Sequence, residues 1–105
     1  MTRATLLRHR NTWCGFVLEG HSDRLPAGES VVCAAVSSAA YLVANTVTDV
    51  CGCRADTLVQ DGYLSLRVNV ADSSLCQPIL EGFYRHLQGL QEQYPKKIQL
   101  DLTEV

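Results

Sequence analysis

Two hydrophobic periods alternate along this chain, and the points where one gives way to the other divide it into seven elements. Residues 3–9 and 13–19 repeat every second position, which predicts two strands joined by a turn at Arg10, Asn11 and Thr12. In the second of these, strict alternation puts Cys14, Phe16 and Leu18 on one face and Trp13, Gly15, Val17 and Glu19 on the other. Trp13 then reads as a large side chain over the sheet edge, with a partner surface as its second reading.

The period changes after HSDRLPAGES, a run of turn formers beginning at His21. Residues 27–52, AGESVVCAAVSSAAYLVANTVTDVCG, form the element on which the others depend. Val32, Ala35, Val36, Ala39, Leu42, Val43 and Val47 fall on one helical stripe, while Cys33, Ser37, Ala40 and Ala44 climb an adjacent face with almost no bulk. No charge occurs from residue 31 to residue 48, so the helix must be covered on more than one side, by the sheet, by a second helix and by a second subunit. Gly52 is placed to end it in the left-handed conformation.

Residues 57–61 and 63–70 alternate again around Asp61 and Gly62, a strong hairpin signal, with Leu64, Leu66, Val68 and Val70 as the dry face. A second helix follows, with Ser74 as N-cap, Gln77 as its capping-box partner and Pro78 in the first turn. Its stripe is Leu75, Ile79, Phe83, Leu87 and Leu90, and Pro95 stops it. Ile98, Leu100 and Leu102 mark a last strand. The order ββαββαβ predicts an α+β two-layer sandwich in which a largely antiparallel sheet carries two helices on one face.

Composition narrows the class. The 105 residues, 47% of them hydrophobic, suit one domain spanning residues 1–105. Net charge is −2 and no basic tract stands out, which argues against direct nucleic-acid binding. Ser37, Ser38, Asn45, Thr46 and Thr48 argue against a membrane span through the long helix, and NTWCGFVLEG is too short and polar for the core of a signal peptide. Five cysteines at irregular spacing fit reduced thiols and a cytoplasmic protein better than a disulfide framework. Cys51 and Cys53 supply only two ligands, so no metal or other cofactor is expected.

One cysteine has a different setting. With Ser30 as N-cap, Cys33 occupies the third helical position, where unpaired backbone N–H groups and the helix dipole favour a thiolate. Cys51 and Cys53 read as buried structural thiols, and Cys14 and Cys76 as surface or core-edge residues. His9 and His86 lack a helix-start cysteine at a motif spacing and read as surface or core-edge residues.

Gly20-His21-Ser22, then Gly28, then Val31-Val32-Cys33-Ala34-Ala35-Val36-Ser37, resembles the signature of the ribosomal-processing cysteine protease (Prp) family. In that family a Gly-His-small motif is followed by a short glycine-containing loop and a helix start of the type IVCAAVS; the separation of twelve from His21 to Cys33 matches as well. The resemblance implies a cysteine endopeptidase with Cys33 as nucleophile, His21 as general base and acid, and Ser37, one turn along, as an orienting or substrate-contact residue. It implies a homodimer whose substrate is the N-terminal extension of large-subunit ribosomal protein twenty-seven, removed after a short hydrophobic, phenylalanine-containing motif. The family usually has an acid three residues before the cysteine, where this chain has Ser30; Asp23 and Glu29 are near in sequence, and the third member of the site stays open.

Two other classes compete. A non-catalytic dimeric, ribosome-associated binding module would keep the fold with a weakened site, and the Ser30 departure favours it. A thiol redox protein would need a resolving cysteine. Cys51 is about five helical turns from Cys33, at roughly 1.5 Å per residue, so it cannot serve along that helix, which leaves Cys14 or a thiol of a second subunit for that role.

Overall fold

The computed structural model describes residues 1–20 and 27–105, with residues 27–30 described by backbone alone. Strand β1 (Thr2–His9) and strand β2 (Thr12–Glu19) pair antiparallel around Arg10 and Asn11, whose φ values of 50° and 64° make the tight turn. Helix α1 (Ala27–Asn45) runs on through a π-helical turn at Thr46–Val50. Strands β3 (Ala55–Gln60) and β4 (Tyr63–Val68) form the second hairpin around Asp61 and Gly62, with Gly62 at φ 74°. A 3-10 helix (Val70–Cys76) leads into α2 (Gln77–Gln93), and β5 (Ile98–Glu104) completes the sheet.

The sheet order is β3-β4-β2-β1-β5. Every pairing is antiparallel except β1 with β5, which run parallel from Thr2 opposite Ile98 to Arg8 opposite Glu104. The expected two-layer α+β sandwich is therefore present, its core built from Ala4, Leu6, Phe16, Leu18, Leu64 and Leu66 of the sheet against Val32, Val36, Ala40, Val43 and Val47 of α1 and Leu80, Phe83 and Leu87 of α2. Phe16 and Phe83 meet edge to face, with centroids 4.9 Å apart. Residues Val31–Val50 are long and apolar enough to cross a membrane by length and composition, yet their inner row is packed in this core.

Several sequence expectations need correction. Between Leu7 opposite Gly15 and Arg8 opposite Trp13 the register slips, leaving Cys14 as the extra residue of a β-bulge. The bulge turns Trp13 onto the helix side, where it is 4% exposed, stacks 5.0 Å from Tyr84 and donates Nε1–H to Glu81 Oε1 at 2.9 Å. Trp13 is thus a core anchor, neither an edge cover nor a partner surface. Cys14 is buried but outside the core cluster, lining a small cavity with His9, Thr12 and Ser73. Only glycine fits at position 15: φ is +154°, and a Cβ there would lie 2.0 Å from the Leu66 carbonyl oxygen.

The second helix begins later than Ser74. Asn69 caps the preceding 3-10 turn through its side-chain oxygen, which accepts from the Ala71 N–H, and Gln77 then opens α2. Leu75 and Val70, expected inside, are exposed because they lie in or at the start of that 3-10 turn, whose three-residue period rotates them outward; Leu80 is the buried residue in their place. Gly52, at φ 70°, ends the first helix as expected, with Cys53 N–H bonded to Val47 O at 3.0 Å.

Candidate active site

Helix α1 starts at Ala27, one turn before the Ser30 cap that the sequence indicates. Ala27 is a good helix former and Glu29 suits the positive end of the dipole, and the helix extends through this segment although Gly28 costs it about 1 kcal/mol relative to Ala. Cys33 is consequently in the second turn, and the unpaired N–H groups of the helix start belong to residues 27–30. The dipole falls off within about the first turn, so the helix start acts on Cys33 more weakly than a first-turn position implies.

Cys33 is 7% exposed and lies on the flank of α1 that continues through half-buried Ser37 to Ala40 and Ala44. The small face read from the sequence is therefore real, and Ser37 stands one turn beyond the sulfur on it. Its opposite flank, Ala39, Leu42 and Val43, turns to Ile79, Gly82 and Phe83 of α2 across a cavity of about 200 Å³. His21, together with Asp23, lies outside the described residues, as do the side chains of Glu29 and Ser30. The chain reaches His21 from Gly20, whose N–H donates to the Gly62 carbonyl at 2.9 Å.

The remaining thiols have settings of their own. Burial pushes the Cys14 thiol above its ordinary range, although the Arg67 guanidinium partly opposes this. Cys76 is driven up to about 12, first by burial and then by Cys53, whose Sγ donates to the Asp72 carbonyl at 3.4 Å while Cys76 Sγ donates to the neighbouring Ser73 carbonyl at 3.4 Å. Local spacing offers Cys51 and Cys53 no downstream partner; the fold brings Cys76 beside Cys53. Among the described residues no cluster of three His, Cys, Asp or Glu could hold a metal ion. His86 is exposed, and half-buried His9 holds its Nδ1 2.7 Å from the Val105 carbonyl oxygen.

Solved structures share this architecture. A ribosomal processing protease Prp from Staphylococcus aureus, in complex with a substrate peptide, superposes with a TM-score of 0.88 at 21% identity, over 98% of this chain and 100% of that one. The same protease with a covalently linked product peptide gives 0.84 at 23%, over 98% and 100%. The protein SMU.848 of Streptococcus mutans gives 0.86 at 22%, over 100% of this chain and 96% of that one. No curated protein matches the sequence. The family profile of the cysteine protease Prp matches residues 1–99, nearly the whole length over which the sheet, both helices and the cysteine flank have been described, and the chain accordingly belongs to the cysteine protease Prp family.

Proposed function

We propose that this protease acts in ribosome maturation, removing the N-terminal extension of large-subunit ribosomal protein twenty-seven with Cys33 as nucleophile and His21 as its base. The observation that carries the proposal is the position of Cys33 near the start of α1, on an uncharged flank, in a chain whose family profile runs through both motif residues. The S. aureus structures with substrate and product peptides support a peptide substrate for the same fold.

In the proposed mechanism His21 takes the proton of Cys33, and Sγ attacks the scissile carbonyl to give a tetrahedral oxyanion. The N–H groups at the start of α1 are the candidate donors to that oxygen. Collapse expels the amine, which takes its proton from His21 and leaves a thioester. Water, deprotonated by His21, then hydrolyses the thioester and frees the thiol. Because Cys33 sits a turn into the helix, activation rests on the imidazole more than on the dipole. Ser37 is assigned to orienting the pair or the peptide.

The exposed outer row of α1, with Val31 at 63%, Leu42 at 64% and Tyr41 at 46%, supports a homodimer. Cytoplasmic residence fits the five free thiols. The test is the mature N-terminus of the ribosomal protein in cells with and without this chain, and in cells carrying Cys33→Ala. Retention of the extension in the deletion and in the variant is expected. An N-terminus that never changes would leave a ribosome-associated binding module as the better account of the biological role.

A further inference from the structure

Two buried thiols meet in a part of the core that peptide cleavage does not use. Cys53 follows Gly52 at the end of the first helix, and Cys76 closes the 3-10 turn directly before α2. Cys53 Sγ donates to the Asp72 carbonyl and Cys76 Sγ to the Ser73 carbonyl, each at 3.4 Å. The two acceptors belong to consecutive residues, whose Cα atoms are about 3.8 Å apart. Both sulfurs are thus held over the same short stretch of backbone, and Cys53 is close enough to add to the effect of burial in keeping Cys76 protonated. A buried cysteine more often packs alone, as a small hydrophobe. Cys14 is such a case in this chain, buried outside the core cluster that holds the pair.

The junction that carries the pair is ordered by bonds of its own. Arg54 donates its backbone N–H and its Nε–H to Asp72 Oδ2, both at 2.9 Å, and Asn69 N–H donates to the Arg54 carbonyl at 2.8 Å. Cys53 N–H is bonded to the Val47 carbonyl at 3.0 Å, which fixes the thiol to the end of the first helix. Two sulfurs placed in this way react with each other without a conformational search. Residues 53 and 76 also enclose β3, β4 and the 3-10 turn between them. Cys33 is more than five helical turns away from Cys53 along the chain, so the pair is separate from the nucleophile.

We propose that Cys53 and Cys76 are an oxidation site: hydrogen peroxide converts them to an intramolecular disulfide that staples the end of the first helix to the start of the second. The disulfide does not depend on the roles given to Cys33 and His21. Cys53 is the thiol that meets the peroxide, being 5% exposed where Cys76 is fully buried and held protonated. Its sulfur, as thiolate, attacks one peroxide oxygen; the O–O bond breaks, the sulfur is oxidised to a sulfenic acid, and hydroxide leaves to combine with the thiol proton as water. Cys76 sulfur then attacks the Cys53 sulfur, the S–O bond breaks, and the departing hydroxide takes the Cys76 proton as a second water. Two thiols and one peroxide give one disulfide and two waters. The product restricts the unfolded chain across residues 53–76 and is reopened by a dithiol reductant.

The test treats Cys33→Ala protein with hydrogen peroxide, blocks remaining thiols, and digests it with trypsin without reduction. The substitution removes the catalytic thiol from peptide 25–54, which also carries Cys51 and Cys53; Cys76 is in peptide 68–85. Mass spectrometry is expected to find the two peptides joined with the loss of two hydrogens, fragmentation on either side of Gly52 is expected to place the bond at Cys53, and dithiothreitol is expected to separate them. The link should form at least about tenfold faster than oxidation of Cys14. Before digestion, the oxidised chain should unfold at least about 5 °C above the reduced one. Cys51→Ser should keep the link and Cys53→Ala should lose it; the fragmentation result needs neither variant. Oxygen retained on Cys53 with no link, a bond placed at Cys51, or a pair still reduced when Cys14 has been oxidised would each overturn the site and leave two packed thiols in its place.

Discussion

Gly20 and Gly62 are joined by a 2.9 Å hydrogen bond from the Gly20 N–H to the Gly62 carbonyl, tying the last residue before His21 to the β3–β4 turn. Both residues hold positive φ, 84° and 74°. The chain leading into His21 is thus fixed against the β3–β4 hairpin.

Gly20→Ala should disturb this anchor. A Cβ at this position would lie 2.5 Å from the Met1 carbonyl oxygen, on a backbone that L residues rarely adopt. A loss of about 1–3 kcal/mol is expected, measured by urea denaturation. Peptide cleavage should fall by more than the unfolded fraction explains.

Thiol chemistry should separate the cysteines. With iodoacetamide near neutral pH, Cys33 is expected to react first, because Cys14 and Cys76 are held protonated by burial. Mass spectrometry of the alkylated peptides reads the order directly; labelling of Cys14 or Cys76 ahead of Cys33 would contradict the assigned nucleophile. Cys33→Ala should abolish cleavage and shift stability by about 1 kcal/mol or less, since Ala nearly preserves the volume.

The fold was largely legible because its signals are local. Period-two runs, the Asp61-Gly62 turn and the uncharged helix each name an element, and the structure has all of them. What escaped was not local. The bulge at Cys14 depends on Gly15 meeting the Leu66 carbonyl across the sheet, so strict alternation placed Trp13 on the wrong face. Ser30 has the chemistry of a cap, but residues 27–29 can continue the helix, and cap propensity lost to propagation. Leu80 lies three residues before Phe83 and seven before Leu87 on the same stripe, but a stripe begun at Leu75, which the 3-10 turn rotates outward, passes over it. Cys33 and Ser37 were readable as one face of the first helix.

Trp13 can be tested as a core anchor. Its Nε1–H bonds Glu81 at 2.9 Å, and the Arg8 guanidinium stacks 4.5 Å from its ring. Trp13→Ala should cost about 3–5 kcal/mol, against about 1 kcal/mol for the lost hydrogen bond in Trp13→Phe plus a smaller packing loss. Thermal unfolding of the two variants measures the difference; near-wild-type stability of Trp13→Ala would return this residue to the surface.

Two carboxylates should shape the acid limb of stability. Arg54 holds Asp72 below the usual range through its side chain and its backbone N–H, both at 2.9 Å, and the indole Nε1–H of Trp13, followed by Arg85, does the same for Glu81. A carboxyl lowered in the folded state adds stability above its unfolded pKa, and that stability is lost as pH falls through the folded value. Stability should thus decline below about pH 4. In Asp72→Asn and Glu81→Gln the decline should be shallower, as acid titration followed by circular dichroism would show.

The parallel pairing of β1 with β5 joins Thr2 to Ile98 and Arg8 to Glu104, positions almost a full chain length apart. During synthesis β1 emerges first, but its partner on that side emerges last, and closing so long a loop is slow. Until β5 leaves the ribosome, one flank of β1 stays unzipped and the core beneath Ile98 stays open. A nascent enzyme of this kind matures only after its own translation has passed the final strand, so a partly made copy has no finished platform on which to cut.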